Sequence, residues 1–86
     1  MPEKTFRVNF VTPQKIIYSD QALSISAPGV MGSFQVLYNH APLLAAIGIG
    51  EVKVKDKEEK ELYFATSGGF VEVRENNLVM LAETYR

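Results

Sequence analysis

The chain has 86 residues, with nine Lys and Arg against ten Asp and Glu, one His and no Cys, for a net charge of −1. A chain this short forms one domain with a modest core. The missing Cys exclude a disulfide framework, a thiolate zinc site and a Cys nucleophile. Balanced charge leaves no electrostatic footprint for nucleic acid, and no apolar run is long enough to cross a membrane as a helix.

Period-two alternation dominates the pattern along the chain, the mark of half-buried strands. Phe6, Val8 and Phe10 alternate with Thr5, Arg7 and Asn9, up to a break at Pro13-Gln14-Lys15. Ile16-Ile17-Tyr18 follows, then a turn at Ser19-Asp20-Gln21. Leu23, Ile25 and Ala27 next alternate with Ala22, Ser24 and Ser26, which predicts Leu23 on the core face. Pro28-Gly29 and Gly32 break the chain again, and Phe34-Gln35-Val36 reads as strand. After Asn39-His40, the apolar run Ala41-Pro42-Leu43-Leu44-Ala45-Ala46-Ile47 reads equally well as core strand or as an exposed patch for a partner. Val52 and Val54 alternate with Glu51, Lys53 and Lys55. Lys55 to Tyr63 has helix formers and charges four apart, yet no apolar stripe, so a solvated hairpin tip is expected. Gly68-Gly69 precedes Val71 and Val73, which alternate with Phe70, Glu72 and Arg74. Leu78 to Tyr85 is a second helix candidate, but Leu78-Val79-Met80-Leu81 is a strand-like apolar run and Asn76-Asn77 before it suits a hairpin turn. Many short strands with frequent turns predict an all-β sandwich or barrel.

Few residues carry chemistry. His40 is the only imidazole, and no Ser or Asp stands at a spacing that would build a triad with it. The expected role is a loop imidazole bonded to backbone or to a partner. No carboxylate or His spacing suits a metal, and no cofactor is expected. Gly29-Val30-Met31-Gly32-Ser33 is Gly-rich but lacks the Lys and the helix of a phosphate loop. Asp56-Lys57, in the charged tip, faintly resembles the modified Lys of lipoyl and biotinyl carrier domains, an alternative reading in which Lys57 carries the adduct. Two other lysines in the tip and the absence of apolar neighbours oppose it.

Five stretches in order carry a more extensive resemblance: Thr5-Phe6 to Thr12-Pro13; Ala27-Pro28-Gly29 with Gly32; Asn39-His40-Ala41-Pro42-Leu43-Leu44; Ser67-Gly68-Gly69-Phe70-Val71-Glu72-Val73; and Leu81-Ala82-Glu83-Thr84. Together they resemble the N-terminal domain of the epsilon chain of the rotary, proton-driven ATP synthase, called delta in mitochondria. The resemblance implies a ten-stranded β-sandwich of two antiparallel sheets spanning residues 1–86. It implies no active site and a mechanical role in the central stalk, binding the gamma subunit and the membrane-embedded c-ring. Membrane contact would come only through the complex, at the cytoplasmic face of the plasma membrane. By the same resemblance, Thr12, Asn39, His40, Ala41, Pro42, Leu43, Ser67 and Gly69 lie on the gamma-facing side, and Val30, Met31, Gly32 and Ser33 form the c-ring-facing loop. Ser33 stands where the family usually has an acid, Gln35 where it has Gly, and Tyr38 where it has a turn former. Most bacterial members continue past the Ala-Glu-Thr stretch into a two-helix domain. Only if the natural chain also ends at Arg86 does the resemblance imply coupling of rotation without hairpin-mediated inhibition or nucleotide binding.

Overall fold

A computed structural model describes residues 4–84. Tyr85, the expected end of the last apolar segment, lies outside the described residues. Seven strands follow one another: β1 Phe6–Val11, β2 Ile16–Gly29, β3 Gly32–Leu37, β4 Leu43–Ile47, β5 Gly50–Asp56, β6 Glu61–Arg74 and β7 Asn77–Thr84.

Two of these strands, β2 and β6, are 14 residues long and pass from one layer to the other. The first part of β2 pairs with β1, from Val11↔Ile16 to Phe6↔Ala22. Its second part pairs with β3 and β5. The first part of β6 pairs with β5, and its second part with β7 and β4. Each strand changes partner at a register shift, between Ala22 and Ser24 in β2 and between Thr66 and Gly68 in β6. Such bulges bend a strand and allow it to turn the corner of a sandwich. One layer is therefore β4–β6–β7–β1, and the other is β3–β2–β5–β6.

Three expectations differ from this arrangement. Ser19-Asp20-Gln21 is strand, not turn, because its polar side chains find partners across the ladder. Arg7 donates to Ser19 Oγ at 2.9 Å, Ser19 Oγ donates to Asn9 Oδ1 at 2.8 Å, and Thr5 Oγ1 donates to Gln21 Oε1 at 2.9 Å. The strand count is seven rather than ten, since β2 and β6 continue through their bends, and β1 runs parallel to β7 in an otherwise antiparallel arrangement. The bulge in β2 also resets the alternation, so Ala22 and Ser24 are buried while Leu23 is only half-buried.

The core joins the inner faces of both layers: Phe6, Val8 and Phe10 of β1, Ile25 of β2, Val36 of β3, Val52 and Val54 of β5, Val71 and Val73 of β6, and Leu78 and Met80 of β7. Each such side chain contributes about 1.5–3 kcal/mol through removal from water. Phe10 and Phe64 meet edge to face with ring centres 5.4 Å apart, tying the two layers together. The charged segment after β5 is a hairpin tip, as expected. Asp56 Oδ1 accepts from the amides of Glu58 at 2.8 Å and Lys60 at 2.9 Å, and Glu59 takes a positive φ of 67°. Side-chain capping of this kind favours a turn over a helix.

Candidate interaction surface

The outer face of the β4–β6–β7–β1 layer should be polar if it met only water. The pairing instead sets Ala46, Phe70, Leu81 and Val11 side by side across all four strands. The neighbouring row is Leu44, Glu72, Val79 and Asn9. Leu44 is 74% exposed, Phe70 61% and Leu81 55%. Directly opposed residues on one face lie about 5 Å apart, so these side chains form one continuous patch rather than scattered apolar residues. On a small soluble domain such a patch marks a partner site.

The patch continues over β4 to the tip of the molecule. Val30 N donates to Ala46 O at 3.0 Å, and Gly48 N donates to Pro28 O at 2.7 Å. These bonds clamp the Val30–Met31 turn against the β4–β5 connection, which carries Ile49. Met31 is 96% exposed and Ile49 80%. Between Asp20 and Glu51 the chain has no Asp, Glu, Lys or Arg. The tip formed by Val30, Met31, Gly32, Ser33 and Ile49 is therefore uncharged. It borders an open groove of about 490 Å³ whose far wall is Leu43 to Ala46.

The eight residues expected to face gamma divide between the two ends of this face. Thr12, Ser67 and Gly69 lie at one end, around a groove of about 480 Å³ that also includes Pro13 and Leu81. Thr12 shapes that corner, because its Oγ1 accepts from the amides of Lys15 at 3.2 Å and Gln14 at 3.3 Å. Asn39, His40, Ala41, Pro42 and Leu43 lie at the other end, where Leu43 pairs with Val73. Asn39 is bonded to Asn76 in the β6–β7 turn. His40 Nδ1 lies 2.6 Å from the Ala41 carbonyl, and its amide donates to Leu37 O at 3.1 Å. Among the described residues, neither a Ser nor a carboxylate is bonded to the ring. The apolar run of residues 41–47 resolves as both of its readings at once. Leu43 packs against the core and Ile47 is buried, while Leu44 points to solvent.

Sequence reasoning included Leu44 in the candidate partner patch but missed the rest of the middle of the face: Phe70, Val79 and Leu81. A signal was present at Phe70, an aromatic residue on the outward phase of the strand whose inward phase is Val71 and Val73. Lys57 Nζ lies 3.5 Å from Asp20 Oδ1. The amide of Gln21 and the Lys57 charge together hold the Asp20 carboxyl below its ordinary range. Among the described residues, no group of three or more His, Cys, Asp or Glu is placed to hold a metal.

The fold and this face define an all-β interaction domain. The family described as "ATP synthase, Delta/Epsilon chain, beta-sandwich domain" matches residues 5–86, and the chain belongs to it. The ATP synthase epsilon chain of Chlorobium limicola is 42% identical over 81 residues, covering 94% of this chain and 92% of that one. The epsilon chain of Chlorobaculum tepidum is 44% identical with the same coverage. That of Syntrophomonas wolfei is 42% identical over 84 residues, of which this chain spans 61% of the relative's length. In fold, the chain is similar to a chain of the Euglena gracilis mitochondrial ATP synthase (OSCP/F1/c-ring), with a TM-score of 0.88 at 18% identity over 99% of this chain and 54% of that one. It is also similar to a chain of the Tetrahymena thermophila mitochondrial ATP synthase central stalk and c-ring, with a TM-score of 0.75 at 21% identity over 90% of this chain and 62% of that one. These relatives favour the epsilon reading over a carrier domain modified at Lys57.

Proposed function

We propose that this chain is a non-catalytic rotor subunit of the proton-translocating ATP synthase, joining the gamma shaft to the c-ring so that ring rotation reaches the catalytic head. The outer face centred on Phe70 and Leu81 receives gamma. Thr12, Ser67 and Gly69 frame it at one end, and Asn39, His40, Ala41, Pro42 and Leu43 at the other. The turn Val30, Met31, Gly32 and Ser33, extended by Ile49, meets the ring. The subunit is held at the cytoplasmic face of the plasma membrane through the complex alone.

The single observation that carries this reading is the continuous exposed apolar face on a domain whose core is already complete on the inside. An interface needs a desolvated apolar centre with a polar rim, and this face supplies the centre. Torque transfer also needs a stiff body, and two layers tied by strands that run through both resist shear.

The test is association with the catalytic head and its gamma subunit after this chain has been stripped away. Phe70→Ser with Leu81→Ser should leave the strand signature in circular dichroism intact and weaken rebinding about tenfold or more. Rebinding at native affinity by the folded double variant would overturn the assignment of this face.

A further inference from the structure

Glu72 occupies an unusual place in the proposed gamma face, on whose assignment this inference rests. It points outward from β6, with Leu44 directly opposite on β4 and Val79 directly opposite on β7. Phe70 lies two residues away on the same face. Among the described residues, the ion pairs are Lys53–Glu61 and Lys57–Asp20, and Glu72 takes part in neither. Arg74, the nearest cation along its own strand and face, does not come within ion-pair distance.

We propose that Glu72 receives an Arg or Lys side chain of the gamma subunit when the face is covered. A carboxylate enclosed by Leu44, Val79 and Phe70 without a cation would oppose docking, because the lost hydration is not replaced. With a cation it fixes the register of two apolar surfaces that could otherwise slide, and it rejects partners lacking the positive group. An Arg suits the site best, since its planar fork holds a carboxylate through two hydrogen bonds and its stem packs on apolar neighbours. The partner surface is thus defined chemically as an apolar patch with one basic group set within it.

The catalytic head carrying its gamma subunit, stripped of this chain, provides the assay. Rebinding is measured for the native chain and for Glu72→Gln, Arg74→Gln and Phe70→Ser, at about 50 mM and about 500 mM salt. Glu72→Gln should weaken rebinding about 30-fold or more at low salt and flatten its salt dependence, while Arg74→Gln stays near native. A charge reversal at the matching basic residue of gamma should rescue Glu72→Lys. Native affinity of Glu72→Gln, with loss on Phe70→Ser, would overturn the role of Glu72 while leaving the face assigned. An equal loss on Arg74→Gln would also overturn it, by showing an internal pair. Native affinity of both Glu72→Gln and Phe70→Ser would remove the face and this proposal together. Self-association of the isolated chain that Phe70→Ser abolishes would assign the face to a second copy instead.

Discussion

Asn39 and Asn76 hold each other by two reciprocal hydrogen bonds across 37 residues of sequence. The Asn39 amide donates to Asn76 Oδ1 at 2.7 Å, and Asn76 Nδ2 donates to Asn39 Oδ1 at 3.0 Å. Both residues have φ of 63°, the left-handed region that Asn tolerates better than most residues. The Asn76 carbonyl also accepts from the Arg7 amide at 2.9 Å, so three strand ends meet there. The Asn pair sets where the chain enters residues 40–43, at one end of the proposed gamma face.

Replacement of Asn76 should therefore separate two effects. Asn76→Gly keeps the backbone conformation and loses the side-chain bonds, at a cost of about 1 kcal/mol. Asn76→Ala loses the bonds and strains the backbone as well, adding about 1 kcal/mol. Urea unfolding should rank native above Gly above Ala. Equal stability of the Gly and Ala variants would show that the left-handed geometry contributes nothing.

Gly69 and Gly68 stand together at the bend of β6 but differ in tolerance. At φ of 151°, a Cβ on Gly69 would run into the Leu81 carbonyl oxygen and lie 2.6 Å from Ala82 Cα. Both obstacles are backbone and cannot step aside. At Gly68 a Cβ would lie 3.6 Å from the Ile47 carbonyl, with only the strain of φ 142° to bear. Gly69→Ala should cost about 4 kcal/mol or more, and Gly68→Ala about 1–3 kcal/mol. Thermal unfolding of the two single variants checks the order.

Thr66 is a fully buried polar residue at the same bend, and its Oγ1 accepts from the Gly68 amide at 3.1 Å. Thr66→Ser retains the acceptor. Thr66→Val is nearly the same size but leaves the Gly68 amide without its partner, a loss of about 1–3 kcal/mol. Slower-exchanging amides around Gly68 in the native and Ser proteins, and faster exchange in the Val variant, are the expected hydrogen-exchange result.

Tyr18 links the fold to alkaline pH. Burial, then the carboxylates of Asp20 and Asp56, raise its phenol above the ordinary value, with Arg7 acting in the opposite direction. Its hydroxyl donates to the Gln21 carbonyl at 2.7 Å. A raised folded-state pKa means that the neutral phenol is favoured in the native state. This stabilisation is complete below the ordinary phenol pKa and is lost as pH climbs through the raised value. Tyr18→Phe should therefore be less stable than native at neutral pH, and the gap should narrow in strongly alkaline buffer. Tyr63, raised chiefly by its hydrogen bond to Glu61, titrates in both proteins and leaves the comparison intact.

The tip offers a test of the proposed ring contact. With no charged side chain between Asp20 and Glu51, attachment there should change less than about threefold between about 50 mM and about 500 mM salt. Met31→Glu, at a fully open position, should weaken ring attachment while thermal stability stays within about 0.5 kcal/mol of native. A steep salt dependence of ring attachment would contradict an uncharged contact.

Strand periodicity, hairpin chemistry at Asp56 and Asn76, and the inward set Phe6, Val8, Phe10, Val52, Val54, Val71 and Val73 were determined by the sequence itself. Local sterics and burial act there over two to four residues, a range that a single chain displays directly. Only the tertiary structure decided that Ser19–Gln21 is strand, since its polar side chains need Arg7, Asn9 and Thr5 across the ladder. It likewise decided the face joining Leu44, Phe70, Glu72, Val79 and Leu81. Those residues come from three strands, and their adjacency depends on register, which no short stretch of sequence encodes.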